Sequence, residues 1–276
     1  MWRCKAPDPE QIRLLRCARE KHDLRPLVIH GSYLINLASS DPIIRDNSLR
    51  AFTGEMERAL LIGAEYVVTH PGNCKGLSRE QGIFNAAEAL VLAWRAVDPK
   101  LKRKNGLRIL LENTAGAGAQ LGGRLEELSA IRELAAPYLD TPIGFCLDTC
   151  HCYVSGFDVA KQAGLESLLT AASDILRLEN VPVIHANDAK TAFNSHLDRH
   201  ANIGEGNIGL EGFRRILNHP KLRRKAFILE TPVDEPGADF RNVQALKELV
   251  SPRKHSITKP SNKSGMSVGR KTHHST

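Results

Sequence analysis

VIHANDAKTAFNSHLDRHANIGEGNIG, Val183 to Gly209, is the stretch from which the fold is read. A short apolar run, Pro182-Val183-Ile184, stops on His185, and Asp188 and Lys190 follow on the exit loop. Beyond them comes Asp198-Arg199-His200. An Asp and a His two apart on extended backbone point to the same side, so their oxygen and nitrogen can reach one cation at zinc-like bond lengths. Alone, Asp-Arg-His reads more readily as a solvated turn, and the rest of the chain decides.

The same grammar recurs outward in both directions. Leu27-Val28-Ile29 ends on His30, Tyr66-Val67-Val68-Thr69 on His70, Arg108-Ile109-Leu110-Leu111 on Glu112, Gly144-Phe145-Cys146-Leu147 on Asp148 with His151 following, and Ala226-Phe227-Ile228-Leu229 on Glu230. Helical spacing fills the intervals: Asp8 to His22, about Ser48 to Ala64, Arg79 to Val97, Leu125 to Leu134 and Leu165 to Leu178. The six strand ends fall 40, 42, 36, 37 and 45 residues apart. Short apolar runs alternating with amphipathic helices predict a parallel sheet covered on both faces.

Each run delivers a His, Asp or Glu at its carboxyl end. One such residue alone is commonly a hydrogen-bonded histidine or a helix cap. Capping would supply Ser, Thr and Asn as readily, so six of six point to a shared metal-binding face. In a closed (β/α) barrel all strand ends meet on one face, whereas in an open sheet only those near the switch point converge. The pattern therefore predicts an α/β fold of the closed (β/α) barrel kind, of which six strands are counted. Gly116-Ala117-Gly118 with Gly122 and Gly123 follows a strand, but the third glycine is out of place for a dinucleotide fingerprint, leaving a close-approach loop.

Composition bounds the rest. The chain of 276 residues is 42% hydrophobic, offers no run long enough for a membrane span, and starts without a secretory-type apolar stretch, so an intracellular, cytoplasmic protein is expected. Its six cysteines, Cys4, Cys17, Cys74, Cys146, Cys150 and Cys152, form no C-x-x-C pair and read as buried free thiols. Six of the formal net charges of +7 lie in residues 251–276 (Arg253, Lys254, Lys259, Lys263, Arg270 and Lys271, with no acid), which leaves +1 for residues 1–250. The pI of 9.2 is thus a property of the tail and does not by itself show a nucleic-acid groove. Two regions are expected: a barrel domain over 1–250 and a disordered basic tail over 251–276.

HGSYLINLAS at 30–39, THPG at 69–72, LLENTAGAG at 110–118, CLDTCH at 146–151, HANDAK at 185–190, DRHANIGEGNIG at 198–209 and LET at 229–231 together resemble the endonuclease IV family of apurinic/apyrimidinic DNA endonucleases. The resemblance implies a TIM barrel carrying three zinc ions that hydrolyses the phosphodiester 5′ to an abasic site in duplex DNA, leaving a 3′-hydroxyl, as a monomer. It places His30, His70 and Glu112 on one zinc, and Glu112, Asp148, His185 and Glu230 on a second. Glu112 bridges the two and is the catalytic candidate, while His151, Asp198 and His200 hold the third. This is a coherent set of N and O donors. By the same resemblance Tyr33 and Leu34 lie on a loop entering the duplex, though barrel-rim packing suits them too. Lys190 and Arg199 are candidate phosphate contacts, and Asn36, Asn113 and Asn187 are contacts or partners of the ligands.

Two positions depart from the family pattern: Ala117 stands where Gln is common, and His196 where Arg is common. The resemblance also implies two further βα units ahead of Trp2, so the reading frame is expected to continue upstream of Met1. Two other readings stay open. A xylose isomerase-like sugar isomerase or epimerase has a similar strand-end metal centre but is not expected to carry the His151, Asp198, His200 set. A non-catalytic DNA-binding scaffold is the other.

Overall fold

The computed structural model describes residues 7–102 and 106–251. Six strands form one all-parallel sheet: β1 (Val28–His30), β2 (Tyr66–Thr69), β3 (Arg108–Glu112), β4 (Ile143–Asp148), β5 (Val183–His185) and β8 (Ala226–Ile228). They are ordered β1-β2-β3-β4-β5-β8, so each strand lies beside its predecessor in the chain and the winding never reverses. A doubly wound sheet reverses at a switch point. Uninterrupted winding is that of a TIM barrel, and here the six strands make a curled half-barrel with β1 and β8 at its edges. Two short strands, β6 (Asp188–Ala189) and β7 (His200–Ala201), form a separate antiparallel pair.

Register fixes which way the strand ends point. Side chains alternate across a strand. Val68, Leu110, Cys146 and Val183 form one buried cluster, with Val28, Tyr66, Ala226 and Ile228 packed on it, inside the curl. The opposite parity, including Val67, Ile109, Leu111, Phe145, Leu147 and Ile184, joins the larger core beneath the helices. His30, His70, Glu112, Asp148, His185 and Glu230 each stand two residues beyond an inward residue, at 28, 68, 110, 146, 183 and 228. All six therefore project into the concave mouth.

The helices are α1 (Pro9–His22), α2 (Pro42–Ile62), α3 (Arg79–Ala96), α4 (Pro99–Lys102), α5 (Leu125–Ala135), α6 (Thr149–Val154), α7 (Gln162–Ala171), α8 (Gly209–Asn218) and α9 (Ala238–Leu249); α2, α3, α5, α7, α8 and α9 supply core residues to the convex face, α1 and α4 pack on α2, and α6 follows β4 directly and carries His151. Phe52, Met56, Leu90, Leu128 and Phe145 are fully buried between helices and sheet. Each such side chain contributes about 1.5–3 kcal/mol by leaving water.

Several boundaries differ from expectation. Helix α2 starts at Pro42 rather than near Ser48, because the Asp41 side chain accepts hydrogen bonds from the Ile43 and Ile44 amides and Pro42 has no amide to satisfy at the first position. The expected helix over 165–178 runs from Gln162 to Ala171 and then widens into a π turn at 172–176. Helices α8 and α9 were not anticipated. Cys74, Cys146, Cys150 and Cys152 are buried free thiols, but Cys17 is exposed, since α1 buries no residue. The tail reading falls on residues 252–276 and Cys4 on 1–6, outside the described residues. Among the described residues no helix is long and apolar enough to cross a membrane.

Candidate metal centre

Glu112 is fully buried at the end of β3, and its two oxygens face different partners. Oε2 lies 2.9 Å from His30 Nε2 and 3.7 Å from His70 Nε2. Oε1 lies 2.8 Å from His185 Nδ1 and 3.6 Å from His151 Nδ1. Glu230 closes the group, with Oε2 3.2 Å from His185 Nδ1. Donor atoms of His30, Glu112, His185 and Glu230 all fall within 4.8 Å of one another.

A second cluster sits beside it. Asp198 reaches His151 Nε2 at 3.0 Å and His200 Nε2 at 3.2 Å, one through each oxygen. Asp148 lies 3.9 Å from His200 Nε2 and groups with His151 and His200. The histidine rings form a continuous array, His185–His30–His70–His151–His200, with neighbouring centroids 5.3–5.7 Å apart.

The other ring nitrogen of three histidines is tied to backbone: His30 Nδ1 to Gly31 O at 2.7 Å, His151 Nδ1 to Asn113 O at 3.0 Å and His200 Nδ1 to Glu230 O at 3.0 Å. Such bonds orient an imidazole so that its free nitrogen faces an ion. Asn187 ties two carboxylate-bearing residues at once, donating to Asp148 Oδ2 at 2.5 Å and accepting from the Glu230 backbone amide at 2.7 Å. Asn113 accepts the Asp148 amide at 2.7 Å. Asp148 Oδ1 accepts the His151 amide and so starts α6.

Among the described residues two buried side-chain nitrogens have no partner in hydrogen-bond geometry, His70 Nδ1 and His200 Nε2. Buried polar atoms left unpaired cost free energy, and the second of these faces the carboxylates of Asp198 and Asp148. Five imidazoles and four carboxylates without a thiolate make a donor set suited to zinc. These observations fit bound metal ions.

Without metal, protons do part of this work. Burial presses the His151 ring toward neutrality, but Asp148, Asp198 and Glu112 around it overcome this and push the group up to about 10. His200 likewise rises to about 9 against burial, through Asp198 and Asp148. Burial disfavours a charged Glu112, yet His70 and His185 hold its carboxyl well below the usual range. His70, with burial dominant, moves the other way and is lowered.

The nine expected ligands thus lie on one mouth, where Asp148 has a donor atom close to those of His151 and His200 and His70 stands 3.7 Å from Glu112. Cys150 also offers its sulfur within 4.8 Å of Asp198 and His200 donors, a neighbour the sequence reading set aside. Tyr33 is 87% exposed on the loop after β1, while Leu34 is half-buried. Lys190 and Arg199 are exposed and face each other across the β6–β7 pair, where the Lys190 amide donates to Arg199 O at 2.9 Å. Asn36 does not reach the centre; its side chain ties to the backbone of Asn73. His196 binds Ala115 O across the mouth at 2.8 Å. Sequence reasoning named Asp188 without giving it a role; its only signal was the run of glycines that follows.

A family model described as a xylose isomerase-like TIM barrel matches residues 3–250. A probable endonuclease 4 of Solibacter usitatus is 57% identical over 249 residues, covering 90% of this chain and 84% of that relative. The crystal structure of endonuclease IV from Thermus thermophilus superposes with a TM-score of 0.76 at 36% identity, covering 90% of this chain and 84% of that one. A D-tagatose 3-epimerase-like protein superposes with a TM-score of 0.63 at 21% identity, over 88% and 83% of the two chains, a likeness of fold alone.

Proposed function

The chain belongs to the endonuclease IV family, and on that premise we propose that it hydrolyses the phosphodiester 5′ to abasic sites in duplex DNA, leaving a 3′-hydroxyl. The observation that carries the reading is Glu112, whose two oxygens face two different sets of histidines. His30, His70 and Glu112 would hold one zinc, Glu112, Asp148, His185 and Glu230 a second, and His151, Asp198 and His200 a third. When bound, such ions lower the pKa of a water and neutralise phosphate oxygens. Glu112 serves as the shared ligand and catalytic candidate. Asn187 donates to the Asp148 carboxylate and accepts the Glu230 backbone amide, and Asn113 accepts the Asp148 backbone amide, so the strand ends carrying both carboxylates need no reorganisation as charge develops.

Substrate recognition falls to the rim. Extruding a nucleotide costs less where no base is stacked, and Tyr33, which projects 87% exposed from the loop after β1, with Leu34 behind it, is placed to enter the gap. Lys190 and Arg199, side by side beyond the centre, meet backbone phosphates. All nine ligands come from one chain, which supports action as a monomer, and a DNA substrate places that action inside the cell. A sugar epimerase shares the barrel, but the separate His151–Asp198–His200 cluster favours the nuclease.

The test is incision of a duplex carrying a single abasic site, before and after chelation and with zinc restored. A product that a polymerase extends directly from its 3′ end is expected. No incision by the zinc-restored, folded chain, or cleavage on the 3′ side, would overturn the proposal.

A further inference from the structure

Asp188 is fully buried, and no Lys, Arg or His among the described residues pairs with it. Backbone amides neutralise it instead. Oδ1 accepts from the Ala189, Ile208 and Gly209 amides at 2.9, 2.9 and 3.3 Å, and Oδ2 from those of Gly204, Gly206 and Gly209 at 2.9, 3.1 and 3.2 Å. An ionised carboxylate has about four lone-pair sites. Contacts from five amides fill them, so Asp188 has none to offer a metal.

The glycines that follow are explained by this arrangement. A Cβ on Gly206 would fall 2.4 Å from Asp188 Oδ1 and 2.6 Å from Ala189 O. Gly204 and Gly209 adopt left-handed backbone, φ 88° and 67°, which turns their amides toward the same carboxylate. Asn207 completes the wrap, its side-chain amide donating to the carbonyls of Ala189, Lys190 and Thr191.

The wrapped loop anchors the outer metal ligands. Asp188 pairs with Ala201 and Ala189 with His200, a ladder two residues long. So short a hairpin has little stability of its own. His200 lies on β7 and Asp198 two residues before it, outside the six-stranded sheet, whereas His30, Glu112, His185 and Glu230 stand at its strand ends. We infer that Asp188 is the positioning residue of the third metal position, the buried anion around which the segment carrying Asp198 and His200 is folded. The inference rests on the reading that His151, Asp198 and His200 hold a metal.

The test uses the full chain, stripped and reloaded with zinc, with metal counted by elemental analysis and affinities taken from chelator competition. Asp188→Asn keeps the shape but turns an NH2 toward backbone donors. It should weaken the third ion about 10–100-fold, giving two ions per chain at limiting zinc with the other two held as in the wild type. Gly206→Ala, which pushes on the same contacts without altering the carboxylate, should do the same. Incision should lose kcat more than KM, and circular dichroism should stay that of the wild type. Three ions at wild-type affinity in both variants would overturn the inference, as would parallel loss of all three ions in Gly206→Ala. A wild-type chain that takes up only two ions would instead sink the three-metal reading, and is told apart because the variants would then match it.

Discussion

Replacing Glu112 by Gln tests the centre at its pivot. The carboxylate is 0% exposed and lies 2.8–2.9 Å from His185 and His30. Removing one partner of a buried ion pair costs about 3–5 kcal/mol. The histidines can shed protons, which keeps the loss near the lower end, about 3 kcal/mol. At ~2–4 °C per kcal/mol for a chain of this size, metal-free Glu112→Gln should melt about 6–12 °C below the metal-free wild type at pH 7. With zinc restored, two ions depend on the lost ligand, so incision should fall by more than the ~10–100-fold typical of an outer partner. Calorimetry of zinc binding in buffers of different ionisation enthalpy should also show fewer protons released, since the charge that held them is gone. An unchanged metal-free melting temperature, or near wild-type incision by the loaded variant, would refute the account of Glu112 as the shared anion.

Metal-free protein should have an unusual pH profile. His151 and His200, raised to about 10 and 9, contribute stability that is full below about pH 6.5 and lost as pH rises through those values. Glu112, depressed, contributes above its ordinary pKa of about 4.3, and this is lost on acidification. The lowered His70 opposes the other histidines of the centre but is one against four, since His30 and His185 are raised as well. Metal-free melting temperatures should therefore be highest near pH 5–6.5 and fall toward pH 10, while zinc-loaded protein gains stability from pH 5 to 7 as ligand protons leave; scanning calorimetry of both forms checks this. Deleting residues 252–276 removes six Lys and Arg and should flatten the slope of log K against log salt by up to about 5, with kcat unchanged, as read in a binding titration and a single-turnover assay. Gly144→Ala would place a Cβ 2.6 Å from Asn180 O inside β4, and denaturant unfolding should show a loss of about 1–3 kcal/mol.

The strands and the His, Asp and Glu residues that end them were legible because both are local. An apolar run of four residues and the charged residue that ends it lie within reach of simple spacing, and His30, His70, Glu112, Asp148, His185 and Glu230 were all found that way. A finer signal was also present: each stands two residues after an apolar residue that faces inward, at positions 28, 68, 110, 146, 183 and 228. The beginning of α2 was legible too, in Asp41-Pro42, but apolar spacing pointed to a later start. Which of these side chains meet was not legible. Glu112 meets His30 across 82 residues and His185 across 73, and those distances follow from strand register and the curl of the sheet. The same holds for Asp148, whose approach to His200 spacing alone could not place. Asp188 was decided wholly by tertiary structure. A buried carboxylate satisfied by five backbone amides leaves no mark on composition or periodicity, because its partners are amides that every residue but proline carries, and only the folded loop turns them toward one point.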